Sequence, residues 1–275
     1  MAVHAKDLVL GHGGVVAVAA STFSITRGEV TAVIGPNGAG KSTVLNAIAG
    51  LLEPMGGSID VRVTAPGSRR IAYVLQTTKI NEALPISVRE VVTMGRYART
   101  GRYRRLTEED RAAVEVAMQR TGITDLEGKH LEELSGGQRQ RVFVAQGLAQ
   151  DHDILLLDEP LTGLDLPTAQ AIDEVIHDER SRGCAVIMTT HDLSEAQVAD
   201  HVLLLSGRVV ASGPPEEVLT TEHLTAAYGQ ALLHLDEGKV FLDDPAHIPV
   251  PGRHAHRERT IHTEATPGDM HGQSD

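Results

Sequence analysis

A glycine-rich loop between an apolar run and a helical pattern restricts the fold more than any other feature of this 275-residue chain. Residues 30–34 predict a buried strand, and apolar positions in residues 43–50 have helical spacing. The intervening spacing G-x-x-x-x-G-K-[ST] lets consecutive backbone N–H groups surround phosphate oxygens at the start of a helix. The strand, loop and helix therefore predict a nucleotide site, formed by Gly35, Pro36, Asn37, Gly38, Ala39, Gly40, Lys41, Ser42 and Thr43.

Two acidic residues at the end of a second apolar strand complete the predicted chemistry. Lys41 is expected to reach the β- and γ-phosphates of a bound nucleotide, and the Ser42 hydroxyl to bind Mg²⁺. Asp158 and Glu159 follow the apolar run 154–157. Asp158 fits a second Mg²⁺ ligand, and Glu159 is placed to polarise the attacking water. An acidic turn with no ligand is the structural alternative.

The order of elements predicts an α/β fold with a mainly parallel core sheet. Alternating residues in 3–34 indicate a small antiparallel sheet, with Gly56-Gly57 as a turn before a strand at 58–63. Residues 82–142 have a mostly helical pattern, after which strands alternate with helices. The predicted later elements are a strand at 154–157, a helix at 167–181, a strand at 184–190 and short strands at 202–205 and 208–210.

Composition excludes several classes of function. The net charge of −12 argues against a nucleic-acid binder with a broad basic surface. No apolar stretch approaches the roughly 18 to 20 residues of a membrane helix, and the N-terminus lacks a signal-peptide pattern. The single cysteine, Cys184, lies beside an apolar run and is expected to be a buried, inert thiol of a protein in a reducing cytosol.

A second helix start offers another anion site. Leu134 to Gln138 precede an evident helix, with Ser135 as the expected N-cap and Gly136 and Gly137 exposing backbone N–H groups. The chain thus has one Lys41 loop but two phosphate-binding devices. A head-to-tail homodimer would let each copy complete the other's site.

Taken together, these motifs resemble the ATP-binding subunits of ABC transporters. The resemblance covers about residues 3–230 and adds three residues to the site: Gln76, Asp165 and His191. It implies a P-loop fold with antiparallel β and helical subdomains. It also implies that ATP is held between two subunits, by the Lys41 loop of one and by four residues of the other: Ser135, Gly136, Gly137 and Gln138. By resemblance, Gln76 senses Mg²⁺ and the membrane partner, Asp165 lies across the dimer interface, and His191 holds the γ-phosphate and the attacking water.

His12 departs from the family pattern. It occupies the place where the family usually stacks a tyrosine on adenine. An imidazole can stack, but with a smaller area and a charge that depends on pH. A turn histidine without contact to the nucleotide is the equally weighted alternative.

The stretch 84–97 is similar to that of importer ATPases for metal ions. The chain resembles zinc and manganese importers most; iron-siderophore or cobalamin importers are the second choice. The resemblance implies separate transmembrane permease subunits, an extracytoplasmic solute-binding protein, no nucleic acid, and a peripheral position on the cytoplasmic face of the membrane. A soluble ABC ATPase without a membrane partner and a P-loop kinase are further alternatives.

The last residues change in composition. We expect an ATP-binding domain over 1–242 and a disordered tail over 243–275, rich in Pro and His. The tail holds five of the 14 histidines. A weak zinc-sensing role is conceivable for them, although a solvated tail with incidental histidines is the preferred interpretation: His247, His254, His256, His262 and His271.

Overall fold

The computed structural model describes residues 1–64, 70–75, 85–97 and 105–229, and the backbone of 233–236 and 239–242. The predicted tail at 243–275 lies outside the described residues. Within the described part, no helix combines the length and apolar character needed to span a bilayer.

An antiparallel sheet of three strands begins the chain. Strand β1 (Val3–His12) lies between β2 (Val15–Ile25) and β4 (Gly56–Val61). Gly13 and Gly14 join β1 to β2 in a two-residue turn with φ values of 57° and 85°, which residues with a Cβ rarely adopt. The antiparallel sheet predicted for the start of the chain is therefore present.

The predicted turn at Gly56-Gly57 is wrong, because both glycines belong to β4. Gly56 pairs with Val9 of β1, and the pairing register shifts between Lys6 and Val9. Gly57 has a φ of 70°, and a Cβ on it would lie 2.1 Å from the Asp7 carbonyl oxygen. A bulge in a strand requires the same conformational freedom as a turn, so the two cannot be told apart by glycine content alone.

A six-stranded sheet forms the centre of the molecule, in the order β5-β6-β7-β3-β8-β9. All neighbours are parallel except β8 and β9, so the predicted mainly parallel sheet is confirmed. In chain order the strands are β3 (Val30–Ile34), β5 (Ile71–Val74), β6 (Ile154–Asp158), β7 (Ala185–Thr190), β8 (His201–Leu205) and β9 (Val209–Gly213). Ile34 pairs with Thr190 and Asp158 with Thr189, so the carboxyl ends of β3, β6 and β7 meet at one edge.

Alternation along the central strands divides the core into two layers. Ile154 and Leu156 of β6 pack with the antiparallel sheet and with α1 (Lys41–Ile48). Leu155 and Leu157 pack on the opposite side, with the later helices. All four side chains are fully buried, as expected of a strand that is covered on both faces.

Three helices with the same type of N-cap pack on one another. They are α2 (Val88–Met94), α3 (Glu108–Arg120) and α4 (Gly136–Leu148), and α4 also contacts β5. Each begins with a capping box, in which a Ser or Thr hydroxyl and the side chain three residues later accept each other's backbone N–H. Two single 3₁₀ turns, Thr124–Leu126 and Leu131–Glu133, connect α3 to α4.

The remaining elements follow β6. Helix α5 (Leu166–Ser181) leads to β7, which begins one residue later than predicted, at Ala185. After β7 come α6 (Leu193–Gln197), α7 (Pro215–Val218) and α8 (Thr221–Tyr228). A hairpin of β10 (Leu233–Asp236) and β11 (Lys239–Leu242) follows; the sequence patterns did not predict it.

Candidate active site

The loop between β3 and α1 has a shape that only glycine permits at two positions. Gly35 and Gly40 have φ values of 152° and 98°. A Cβ on Gly35 would lie 2.1 Å from the Leu205 carbonyl oxygen, and one on Gly40 would lie 2.4 Å from Cγ2 of Val18. The loop is therefore packed closely against β8 and β2.

Lys41 extends back along this loop. Its side chain is buried, and Nζ donates hydrogen bonds to the carbonyl oxygens of Gly35, at 2.8 Å, and Pro36, at 3.3 Å. Burial lowers the pKa of Lys41, an effect opposed by the nearby carboxylates of Glu159 and Asp158. The predicted phosphate-binding cation thus lies within the electrostatic reach of both predicted acids.

Two hydroxyl groups converge on the Asp158 carboxylate. Ser42 Oγ donates to Asp158 Oδ1 at 3.2 Å, and Thr189 Oγ1 donates to the same oxygen at 2.6 Å. Ser42 and Asp158 are 116 residues apart in sequence, and the adjacent ends of β3, β7 and β6 bring them together. Hydroxyl and carboxylate oxygens are hard ligands, so this pair fits an ion such as Mg²⁺.

Glu159 adopts a backbone conformation that is unusual for its residue type. Its φ is 49°, in the left-handed region, which costs a residue other than glycine about 1–3 kcal/mol. The Glu159 N–H donates to Thr189 Oγ1 at 2.8 Å. One Thr189 hydroxyl therefore accepts from the backbone of Glu159 and donates to the side chain of Asp158, which fixes both acids relative to each other.

Thr189 is the residue that the sequence analysis missed. It is fully buried at the end of β7, directly before Thr190 and His191. The only signal in the sequence was that two polar residues, Thr189 and Thr190, end an apolar strand. The carboxyl end of this strand lies at the same edge of the sheet as Asp158. Nothing in that pattern shows that Thr189 faces the acids rather than the core.

The other predicted residues occupy different parts of the molecule. His191 is exposed and follows β7, the strand between β6 and β3, at the edge that carries the acids. Asp165 is exposed at the N-cap position of α5, and its side chain makes no capping hydrogen bond. His12 is exposed at the end of β1. Gln76 lies outside the described residues.

Ser135 forms the N-cap of α4, as predicted. Its hydroxyl accepts the Gln138 N–H at 3.2 Å, and the Gln138 side chain accepts the Ser135 N–H at 3.0 Å. Ser135 and Gly136 are exposed, and a Cβ on Gly136 would meet no atom within 4 Å. This helix start is therefore open to solvent, on a helix that packs with α2, α3 and β5.

Comparison with known proteins identifies the family. A family model described as ABC transporter matches residues 18–162. The chelated iron transport system membrane protein YfeB of Yersinia pestis is 38% identical over 85% of this chain and 80% of its own length. The chain belongs to the ABC transporter family. As an ABC ATPase, it binds ATP and couples ATP hydrolysis to transport.

Two further comparisons agree with this assignment. The zinc transport system ATP-binding protein TroB of Treponema pallidum is 38% identical over 83% of this chain and 87% of that protein. A solved structure of a metal-chelate type ABC transporter in an inward-facing conformation is 27% identical, with a TM-score of 0.74 over 87% of this chain and 95% of that chain. The P-loop fold expected for this ABC ATPase is therefore confirmed.

Proposed function

We propose that this ABC ATPase drives the import of a metal ion, with zinc or manganese as the first choice. The proposal rests on the resemblance of residues 84–97 to metal importers and on the name of the zinc relative. An iron-chelate importer is the second candidate, since the iron relative is equally identical, at 38%. Cobalamin import remains part of this second candidate.

The observation that carries the hydrolytic mechanism is the Thr189 hydroxyl shared by both acids. Lys41 holds the β- and γ-phosphates in the loop, and Glu159 orients the attacking water and accepts its proton. The water oxygen bonds to the γ-phosphorus while the bond to the bridging oxygen breaks, which yields ADP and phosphate. Ser42 and Asp158 would hold Mg²⁺, together with Gln76 as the resemblance implies, and the ion would neutralise charge on the phosphates.

The active form in this proposal is a head-to-tail homodimer. The outward-facing start of α4 at Ser135 provides a second phosphate-binding device, which the Lys41 loop of another copy would use. Asp165 would lie across this interface, and His191 would contact the γ-phosphate. His12 would stack on adenine at the exposed end of β1.

The proposal also includes partners and a location. Separate permease subunits would carry the ion, as the resemblance to importer ATPases implies. A solute-binding protein outside the membrane would deliver the ion, and this chain would lie at the cytoplasmic face of the membrane. We further propose that the ATP-binding domain ends near residue 242 and that the tail beyond it is not needed for hydrolysis.

An uptake experiment tests this function. Cells lacking the gene receive radiolabelled zinc, manganese or an iron-siderophore, and are complemented with the intact chain or with Lys41→Ala. We expect loss of zinc or manganese uptake, restored only by the intact chain. A defect confined to the siderophore would favour the second candidate.

Normal uptake of all three substrates, in a strain without related transporters, would contradict the import function. It would favour a soluble ABC ATPase, in which case no integral membrane protein should co-purify with the chain. A phosphorylated small-molecule product in place of free phosphate would indicate a kinase instead.

A further inference from the structure

A histidine, a glutamate and the only cysteine of the chain meet at the sheet edge opposite the nucleotide loop. They are His152, Glu179 and Cys184, and their potential ligand atoms all lie within 4.8 Å of one another. His152 precedes β6, Glu179 lies in the last turn of α5, and Cys184 precedes β7. The sequence predicted Cys184 as a buried, inert thiol; it is buried, but residues of three separate segments place it in a polar cluster.

The histidine is oriented by its second nitrogen. His152 Nδ1 lies 2.8 Å from the Gln150 carbonyl oxygen and therefore carries a proton that it donates. His152 Nε2 lies 2.9 Å from Glu179 Oε2. Two lone pairs cannot face each other at this distance, so a positive charge must lie between them. It is either a proton, carried by His152 or by Glu179, or a metal ion that replaces this proton.

Glu179 has one oxygen available for this charge. Arg120 Nη1 lies 2.6 Å from Glu179 Oε1, and Arg182 Nη1 lies 3.4 Å from the same atom. The two guanidinium groups leave Oε2 directed at His152. A carboxylate oriented through one oxygen, and a histidine oriented through a backbone carbonyl, are the supporting contacts typical of protein metal ligands.

A small divalent ion would require only a small adjustment of these side chains. Tetrahedral zinc, with bonds of roughly 2.0–2.3 Å, places its ligand atoms about 3.3–3.7 Å apart. All three ligand atoms already lie within 4.8 Å of one another, and His152 Nε2 and Glu179 Oε2, which are 2.9 Å apart, would separate by about 0.5 Å to admit the ion. All three residues also line a cavity of about 620 Å³, which provides space for a fourth ligand.

We propose that His152 Nε2, Glu179 Oε2 and Cys184 Sγ form a binding site for a divalent ion of the zinc class, with water as the fourth ligand. Thiolate and imidazole select such borderline-soft ions over Mg²⁺, which prefers oxygen ligands. His152 and Cys184 belong to the segments that lead into β6 and β7, and Glu179 lies in the last turn of α5. The site is therefore at the opposite ends of the parallel strands from Lys41, and it is independent of which ion the transporter carries.

Cobalt binding provides a direct test. The reduced, full-length protein is stripped of metal, supplied with excess Mg²⁺ and titrated with Co²⁺. We expect a thiolate-to-cobalt charge-transfer band that Zn²⁺ removes by displacement. Because Cys184 is the only cysteine, this band reports the proposed site and none of the tail histidines.

Matched variants show whether Co²⁺ binding requires the whole cluster or only the Cys184 thiol. His152→Gln should weaken Co²⁺ binding by at least about 10- to 100-fold. His177→Gln changes an exposed histidine of α5, the helix that also carries Glu179, and should leave the band unchanged. An absent band in the wild type, or equal affinity of wild type and His152→Gln, would refute the site.

A second variant covers the case in which His152→Gln does not fold. Cys184→Ala leaves the contacts among His152, Glu179 and Arg120 in place. Competition with a coloured zinc indicator should show at least a 10-fold loss of zinc affinity, and Zn²⁺ should raise the melting temperature of the wild type only. Equal zinc affinity and equal stabilisation in both proteins would show that a proton, not a metal, occupies the cluster.

Discussion

Replacing Thr189 with valine tests whether one hydroxyl positions both acids of the active site. Valine keeps the shape of threonine but can neither accept from the Glu159 N–H nor donate to Asp158 Oδ1, contacts of 2.8 Å and 2.6 Å. Thr189 is 0% exposed, so water cannot replace the lost hydroxyl without rearrangement. The substitution should therefore release Glu159 from its left-handed conformation.

The structure sets the size of the effect. A buried N–H left without a partner costs about 1–3 kcal/mol, and a hydrogen bond to a carboxylate contributes about 1.5–3 kcal/mol. Since Ser42 still donates to Asp158, we expect a total loss of about 2–4 kcal/mol in the free energy of unfolding. This corresponds to a fall of about 5–10 °C in melting temperature. A displacement of about 1 Å at Glu159 should lower kcat by about 100-fold.

The assay combines ATPase kinetics with thermal unfolding. Thr189→Ser keeps the hydroxyl, so it should lose stability through the missing methyl group while kcat remains within a few-fold of wild type. Thr31→Val is the matched control for a buried threonine. Thr31 is fully buried on neighbouring β3, and its hydroxyl has no hydrogen-bond partner among the described residues.

Comparison of kcat with the melting temperature shows whether the Thr189 hydroxyl positions the acids or only stabilises the fold. Valine at position 31 should leave both kcat and the melting temperature nearly unchanged. If Thr189→Val melted at a lower temperature but turned over ATP within about 3-fold of wild type, the hydroxyl would have only a structural role. The proposed link between Thr189 and Glu159 would then be wrong.

Three further predictions, with four substitutions, test other parts of the site and the fold. Glu159→Gln cannot accept the proton of the attacking water, so it should bind ATP, lose most turnover and accumulate ATP-bound dimers in gel filtration; unchanged turnover would exclude it as the base. Ser135→Ala and Ser87→Ala remove equivalent N-caps and should each cost about 1 kcal/mol in urea unfolding, but only Ser135→Ala should also reduce ATP-dependent dimerisation. Hydrogen bonds from Thr107, and then Arg96, hold the pKa of Asp110 at about 2 against an ordinary 3.8. The ionised carboxylate contributes to the free energy of unfolding above about pH 4, and this contribution is lost as the pH falls towards 2. In Asp110→Asn the free energy of unfolding should therefore decrease less between pH 4 and pH 2 than in the wild type. An equal decrease in both proteins would contradict this assignment.

The sequence predicted the features that depend on short-range pattern. The loop from Gly35 to Lys41 and the N-cap at Ser135 each need particular residues at fixed spacing, and the structure has both where expected. The parallel order of the core strands also followed from their alternation with helices. Local conformational preferences determine all of these elements.

Features that depend on distant contacts were not predictable in this way. The Thr189 hydroxyl reaches Glu159 across 30 residues, and neither residue type indicates the other. Cys184 was interpreted from its apolar neighbours, while its partners come from other elements. The turn predicted at Gly57 failed for a related reason, because the pairing with β1 determines whether a glycine lies in a turn or a bulge.

The left-handed backbone at Glu159 has a consequence for protein engineering. Glycine would adopt a φ of 49° without strain, so it would remove about 1–3 kcal/mol of strain, less about 0.5–1 kcal/mol for the greater freedom of the unfolded chain. A library selected only for resistance to heat should therefore enrich glycine at position 159. The selected variants would be poor ATPases, because glycine lacks the carboxylate that accepts the proton. Directed evolution of this chain needs a turnover screen alongside the thermal one, because at this residue the two properties oppose each other.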